Sequence, residues 1–305
     1  MYQPIRPSRS DFVPIRLHDY HVRLWGEPAP GRTPLVLLHG WMDVSASWQF
    51  VVDALPGEPF VIAPDWRGYG LTTAAPVDNY WFGDYLADLD FLLDHYAPDR
   101  PVHLAGHSMG GNVAMLYAGI RPQRIRRLVN LEGFGPPPAG SADVPARYAR
   151  WMDELKQFHG GRMALARYDS VDGVARRLMK TNPRLPRDQA DWLARQWSAE
   201  VAQPDGRRAW RILGDEAHKI VFAQPMRVDD VLALYRAITA PVLAMEAADD
   251  SLAKWWPGHY TLDDYHARLR EIADCTVVRI EDAGHMLQHD QPGAVAARMA
   301  QFLDR

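Results

Sequence analysis

Short, almost wholly apolar runs alternate along the chain with longer stretches in which apolar residues recur every three or four positions. Runs of the first kind are "FVPIRL" (12–17), "YHVRLW" (20–25), "LVLL" (35–38), "FVIA" (60–63), "VHLA" (102–105), "RLVNL" (127–131), "PVLAM" (241–245) and "TVVRI" (276–280). They are too short for helices and rich in β-branched residues, so each reads as a strand. The first two are joined at His18-Asp19, a hairpin-sized connection. The later ones are apolar on both faces, as parallel strands covered on both sides must be. Runs of the second kind lie between them. In "DYLADLDFLLDHYA", Leu86, Leu89, Leu93 and Tyr96 repeat at helical spacing, as do Val113, Leu116, Tyr117 and Ile120. Near the end, Pro292 precedes Val295, Met299 and Phe302, a proline placed for a helix start. This alternation predicts an α/β fold with about eight strands in a mostly parallel sheet, flanked by helices.

The rhythm breaks between Gly135 and Thr239. After the linker-like "GPPPAG" come helical patterns near 145–158, 160–168, 171–180, 187–200 and 226–237, with no convincing strand. The predicted division is a core of residues 1–135 and 239–305, with a helical cap of residues 136–238 inserted between strands 6 and 7.

Composition narrows the classes. The 305 residues are 47% hydrophobic and 24% charged, a globular balance. A net charge of -4 offers no basic field for nucleic acid or an anionic membrane, so neither is expected as a partner. The single cysteine, Cys275, excludes an intrachain disulfide and reads as a buried, inert thiol. "MYQPIRPSRS" lacks the apolar run of a secretory signal, and no stretch is long and apolar enough to span a bilayer. A cytoplasmic protein is the expectation; the oligomeric state stays open.

The chemistry centres on "HLAGHSMGGNVAMLYAG" (103–119). Gly106-His107-Ser108-Met109-Gly110 follows a strand and opens a helix, the setting of a nucleophile elbow. Small residues must flank a serine on so sharp a turn, and the helix start directs amide groups at the reacting centre. A serine nucleophile needs a base, and the base an orienting acid. Of 12 histidines, His285 stands out: it lies in "EDAGHMLQHDQP", directly after the strand "TVVRI", at the sheet end where open α/β sheets build their sites. His289 is further from the strand end. For the acid, Asp250 follows "PVLAM" and keeps the chain order Ser, Asp, His; Glu132, at the end of the preceding strand, and Asp249 are the alternatives. The oxyanion donors are expected from "LVLLHGWMD", where His39-Gly40 ends a strand and lets the Trp41 amide turn inward, and from the Met109 amide.

Together these segments resemble the α/β-hydrolase superfamily over nearly the whole chain. "LVLLHGWMDVSASW", "APDWRGYGLT", "LAGHSMGGNVA" and "DAGHMLQHDQP" are similar to segments of its capped serine esterase and C–C hydrolase members, and the His-Gly-Trp-x-Asp start is most like the serine-hydrolase-like group. The resemblance implies Ser108 as nucleophile, His285 as base, Trp41 and Met109 as oxyanion donors, and residues 136–238 as the cap. Two departures stand out. Ala247 sits where the acid loop of the family carries glycine, and Glu132 sits where some members, certain haloalkane dehalogenases among them, place their acid. Dehalogenases and epoxide hydrolases of the superfamily use an aspartate nucleophile, so Ser108 argues against both activities.

No dinucleotide fingerprint, P-loop or metal-spaced histidine pair occurs, so no cofactor and no metal are expected. The 11 tryptophans include Trp41, the pair Trp255-Trp256 after the acid loop, and Trp151, Trp192, Trp197 and Trp210 in the insertion. Trp41 and one of the 255–256 pair are the expected pocket-lining residues; those of the insertion are expected to pack helices. Arg147, Arg150, Arg176 and Arg177 read as a solvated helix face. The expected activity is hydrolysis of a small-molecule carboxylic ester with a small to medium apolar acyl group. C–C bond hydrolysis, acyl transfer and a slow-turnover receptor are the rivals.

Overall fold

In the computed structural model, which describes residues 2–73, 76–203 and 206–304, the chain starts as an antiparallel hairpin of β1 (Arg9–Ile15) and β2 (His18–Trp25). It continues through β3 (Leu35–Leu38), α1 (Gln49–Ala54), β4 (Val61–Pro64), α2 (Phe82–Tyr96), β5 (Val102–His107), α3 (Met109–Ile120) and β6 (Ile125–Leu131). An insertion follows: α4 (Val144–His159), β7 (Arg167–Tyr168), α5 (Val171–Thr181), α6 (Arg187–Trp197), β8 (Ser198–Ala202), β9 (Arg208–Ile212) and α7 (Val228–Ala237). The chain closes with β10 (Val242–Ala247), α8 (Ser251–Trp255), α9 (Leu262–Leu269), β11 (Cys275–Ile280), α10 (Leu287–Asp290) and α11 (Pro292–Leu303).

Eight strands form one sheet in the order β1-β2-β4-β3-β5-β6-β10-β11. Only β1 and β2 run antiparallel to their neighbours; the rest are parallel. Side chains of a strand point alternately to its two faces, and the core divides accordingly. Val36 and Leu38 of β3 join Leu89 of α2 and Val113 of α3 in one cluster. Leu35 and Leu37 join Val51 of α1 and Val295 and Met299 of α11 in the other. Thr261 and Asp264 form a reciprocal capping box at the start of α9. Among the described residues no helix is long and apolar enough to cross a membrane.

Three expectations need correction. The hairpin turns at Arg16-Leu17, with Arg16 at φ 55°, so His18 and Asp19 belong to β2. Cys275 is half-buried rather than buried, though burial still pushes its thiol up to about 12. The insertion is not all helical: β7, β9 and β8 form a separate three-stranded antiparallel sheet. The helix expected over 160–168 is absent because α4 stops at Gly160-Gly161, Gly161 having φ 68°.

The insertion touches the loops that follow the carboxyl ends of the core strands. The Trp197 indole donates to the Met42 carbonyl (3.0 Å) and that of Trp41 to His218 (3.1 Å). Asn182 donates to Asp290 at 2.7 Å, and Asp290 accepts the Gly284 N–H at 2.8 Å, which ties the insertion to the loop carrying His285. Trp192, Trp197 and Trp210 pack around Val174 and Leu193, and Trp151 packs against Tyr80 and Ile220. The insertion tryptophans thus pack its helices, as expected, and its unexpected sheet as well.

Candidate active site

Ser108 stands between β5 and α3 at φ 52° and ψ −114°, a conformation L-residues seldom adopt. Its own N–H is held by the Leu131 carbonyl at 2.8 Å. The neighbouring glycines are required by close approach. A Cβ on Gly106 would lie 2.2 Å from the Gly110 carbonyl oxygen, and one on Gly110 would lie 2.3 Å from that of Leu38. A Cβ on Gly40 would come to 3.0 Å from His107 Nδ1 and 3.3 Å from Ser108 Cβ, tighter than ordinary packing, so a glycine suits the loop after β3 where it meets the elbow. Of the five described non-glycine residues with positive φ, Met42, Ser108, Glu132 and Asp282 all lie in loops at this end of the sheet. Strain of this kind collects at functional sites.

His39 is buried in the same layer, and burial pushes its imidazole down to about 4, so it is neutral. The Trp66 N–H donates to its Nε2 at 2.9 Å, which leaves the ring proton on Nδ1, donating to the Gly40 carbonyl at 2.8 Å. In a trans peptide the next N–H points opposite to that carbonyl. His39 therefore turns the Trp41 N–H away from itself. Met109 begins α3, where no carbonyl four residues back within the helix claims its N–H. Asp65 braces both neighbouring loops: it accepts from Ser45 N–H (2.7 Å), Leu71 N–H (2.9 Å) and His21 (2.7 Å). Burial alone pushes this carboxyl up, but His21, His39 and the amide donors outweigh it and bring it down to about 2.

His285 sits in the loop after β11 with 23% of its side chain exposed. Its Nδ1 faces Glu132 Oε2 at 3.2 Å. Glu132 is buried and also accepts from the Ala247 N–H (2.8 Å) and the Ser251 hydroxyl (2.6 Å). Burial pushes the Glu132 carboxyl up to about 7 against those two donors. Burial also pushes the His285 imidazole down to about 3, with Lys254 adding to it.

The first-choice acid, Asp250, is not at His285. It is exposed, and its carboxylate caps α8 by accepting the Ala253 N–H at 2.8 Å. The reason is local: the chain enters α8 immediately after Asp250, and an N-cap carboxylate folds back on its own helix. Asp249 is turned to Arg184 instead, which donates to both its oxygens, at 2.7 and 3.1 Å. His289 is buried against Phe50, ring centroids 5.6 Å apart, and burial pushes it down to about 3.

Two contributors, His107 and Ser251, were not foreseen, and Trp255, foreseen only as a candidate pocket wall, meets the histidine itself. His107 Nε2 donates to the His285 carbonyl at 2.7 Å and holds that loop from below. Ser251 supports Glu132. The ring of Trp255 meets His285 edge-on at 4.3 Å. His107 gave a faint signal by lying inside the elbow motif; Ser251 gave none.

Two apolar cavities adjoin beside the elbow. The inner, about 260 Å³, is lined by Trp41 and Met109 with Tyr80, Tyr85 and Ile220. The outer, about 190 Å³, is lined by Leu116, Met226, Val231, Tyr235 and Trp256. Trp41 and Trp256 thus line cavities as expected. Arg150 and Arg176 are exposed and pair with Glu154 and Asp172 of their own helices, as a solvated helix face requires.

Residues 33–292 match the α/β-hydrolase fold family, and the chain belongs to it. A serine hydrolase-like protein of Danio rerio is 28% identical to this chain over 98% of its length and 90% of the relative. Lipase LipV of Mycobacterium tuberculosis is 30% identical, over 92% of this chain and 95% of the lipase. Among solved structures, a thioesterase domain from the curacin biosynthetic pathway matches with a TM-score of 0.78 at 22% identity, covering 96% of this chain and 99% of that one. At that identity the likeness is one of fold.

Proposed function

We propose that the protein is a serine hydrolase cleaving a small-molecule carboxylic ester through an acyl-enzyme, with Ser108 as nucleophile, His285 as base and Glu132 as the orienting acid. The observation that carries this reading is the juxtaposition of Glu132 and His285 Nδ1 at 3.2 Å at the same sheet end as the strained Ser108 elbow. Serine hydrolase and lipase relatives support it. Glu132 keeps the imidazole proton on Nδ1, which leaves the Nε2 lone pair to take the proton of Ser108. Ser108 Oγ attacks the acyl carbon, and the N–H groups of Trp41 and Met109 receive the charge that develops on the carbonyl oxygen. The imidazolium returns its proton to the leaving alcohol, and water activated by His285 releases the acid. Residues 136–238 act as a cap over a core of residues 1–135 and 239–305. The apolar walls of the two cavities favour a small to medium apolar acyl group.

The test is Ser108→Ala on a series of p-nitrophenyl esters. Turnover is expected to fall by about 10⁶ with the fold retained. A folded variant of near-normal activity would overturn the reading.

A further inference from the structure

The inner and outer cavities share three lining residues: Phe82, Phe222 and Asn112. Two are hydrocarbon rings; the third is an amide. Asn112 lies on α3, and its N–H donates to the Ser108 carbonyl at 2.9 Å. Its side chain therefore stands one helical turn beyond the nucleophile, roughly 5 Å along the axis. Its orientation is fixed by its surroundings. The Gly135 N–H can only donate, and it donates to Asn112 Oδ1 at 2.8 Å. The Nδ2 amino group is thereby turned to the other side, and it has no acceptor among the described residues. A pre-oriented donor without an acceptor among the described residues thus stands where two mainly apolar chambers meet.

We propose that Asn112 Nδ2 is a specificity donor. It selects substrates that carry an acceptor oxygen (a ketone or an ether) a few bonds from the scissile carbonyl, in an arm that runs from the inner chamber to the outer. The inference rests on Ser108 being the nucleophile. A purely hydrocarbon arm leaves this donor unpaired when it displaces water, and a site built to donate discriminates against a partner that cannot accept.

The experiment compares matched esters on the full chain: p-nitrophenyl 4-oxopentanoate against 4-methylpentanoate for an acyl arm, and 2-methoxyethyl against butyl acetate for an alkoxy arm. The same ratios are measured in Asn112→Asp, which keeps the acceptor for Gly135 but loses the donor, and in Asn112→Leu. The wild-type preference for the oxygen-bearing member of one pair, corrected for the pair's hydroxide-catalysed rates, is expected to be roughly fivefold to tenfold, the worth of one hydrogen bond. Both variants should bring that ratio close to one. If both members of each pair slow together and the ratio stays put, Asn112 is only a support for the Gly135 loop and the inference is overturned. A second arm does not need turnover. In a Ser108→Ala background, calorimetric affinities for 4-oxopentanamide and 4-methylpentanamide should differ by a similar factor that Asn112→Leu removes. That result, obtained where the unsubstituted chain hydrolyses none of the esters, would uphold the donor while refuting Ser108 as the nucleophile. Ester turnover with ratios and affinities insensitive to Asn112 would do the reverse.

Discussion

The loops that leave β6 and β10 begin side by side and end differently. Leu131 and Met245 are paired across the two parallel strands, and the Glu132 N–H extends that ladder to the Met245 carbonyl at 3.1 Å. A carboxylate one residue beyond β6 and one a few residues beyond β10 therefore start from the same edge. Glu132 leaves with φ 55° and is buried against Ala247, Ser251 and His285. Asp249 and Asp250 leave toward the surface, one to Arg184 and the other to the first turn of α8. The comparison shows that the position of an acid in chain order does not assign it to the histidine. What assigns it is the backbone turn that aims the side chain, and the donors waiting for it.

The largest way to sharpen the comparison is pH. Once protonated on the oxygen that faces Nδ1, Glu132 donates its O–H there instead of accepting, which moves the imidazole proton to Nε2, where it blocks attack. Since burial brings this carboxyl up to about 7, kcat/KM should fall about tenfold per unit as pH drops below that value, with the apparent pKa belonging to the Glu132–His285 pair. A profile flat from pH 7 to 5 would place the acid elsewhere. Next is Ser251→Ala, which removes a hydrogen bond to the Glu132 carboxylate. A bond to a charged group is worth about 1.5–3 kcal/mol, so kcat/KM at neutral pH should drop roughly tenfold or more, with the limb displaced upward and activity partly recovered at alkaline pH. An unmoved limb would mean that Ser251 does not act on Glu132. Smallest is Asp250→Ala. Loss of an N-cap costs about 1 kcal/mol, visible as a lowered thermal midpoint, while ester turnover should stay within about twofold. A large loss of turnover at unchanged stability would return Asp250 to the site.

The parts of this arrangement differ in how far they can be read from residues alone. The elbow is legible because its glycines are dictated by contacts below van der Waals distance, and such demands leave a fixed motif. His285 is legible because it follows an unambiguous strand. The acid is not: two adjacent strand ends are level in the sheet, and only their pairing reveals it. The insertion sheet escaped for another reason. Ala194, Trp197 and Val201 continue a helical spacing through the end of α6 into β8, and β7 is only two residues long. Strands that short carry no alternation to detect. The hairpin turn slipped by two residues because Arg16 adopts a positive φ without being glycine.

The central claim is that Glu132, and not Asp250, holds the imidazole of His285. It is tested most directly by measuring kcat for Glu132→Gln and Asp250→Asn side by side on one good ester, with circular dichroism to show that both are folded. The account predicts a loss of about 10⁴ for Glu132→Gln, because the imidazole loses its tautomer, and a change of no more than about twofold for Asp250→Asn, whose amide oxygen still caps α8. Collapse of the Asp250 variant with an active Glu132 variant would contradict it.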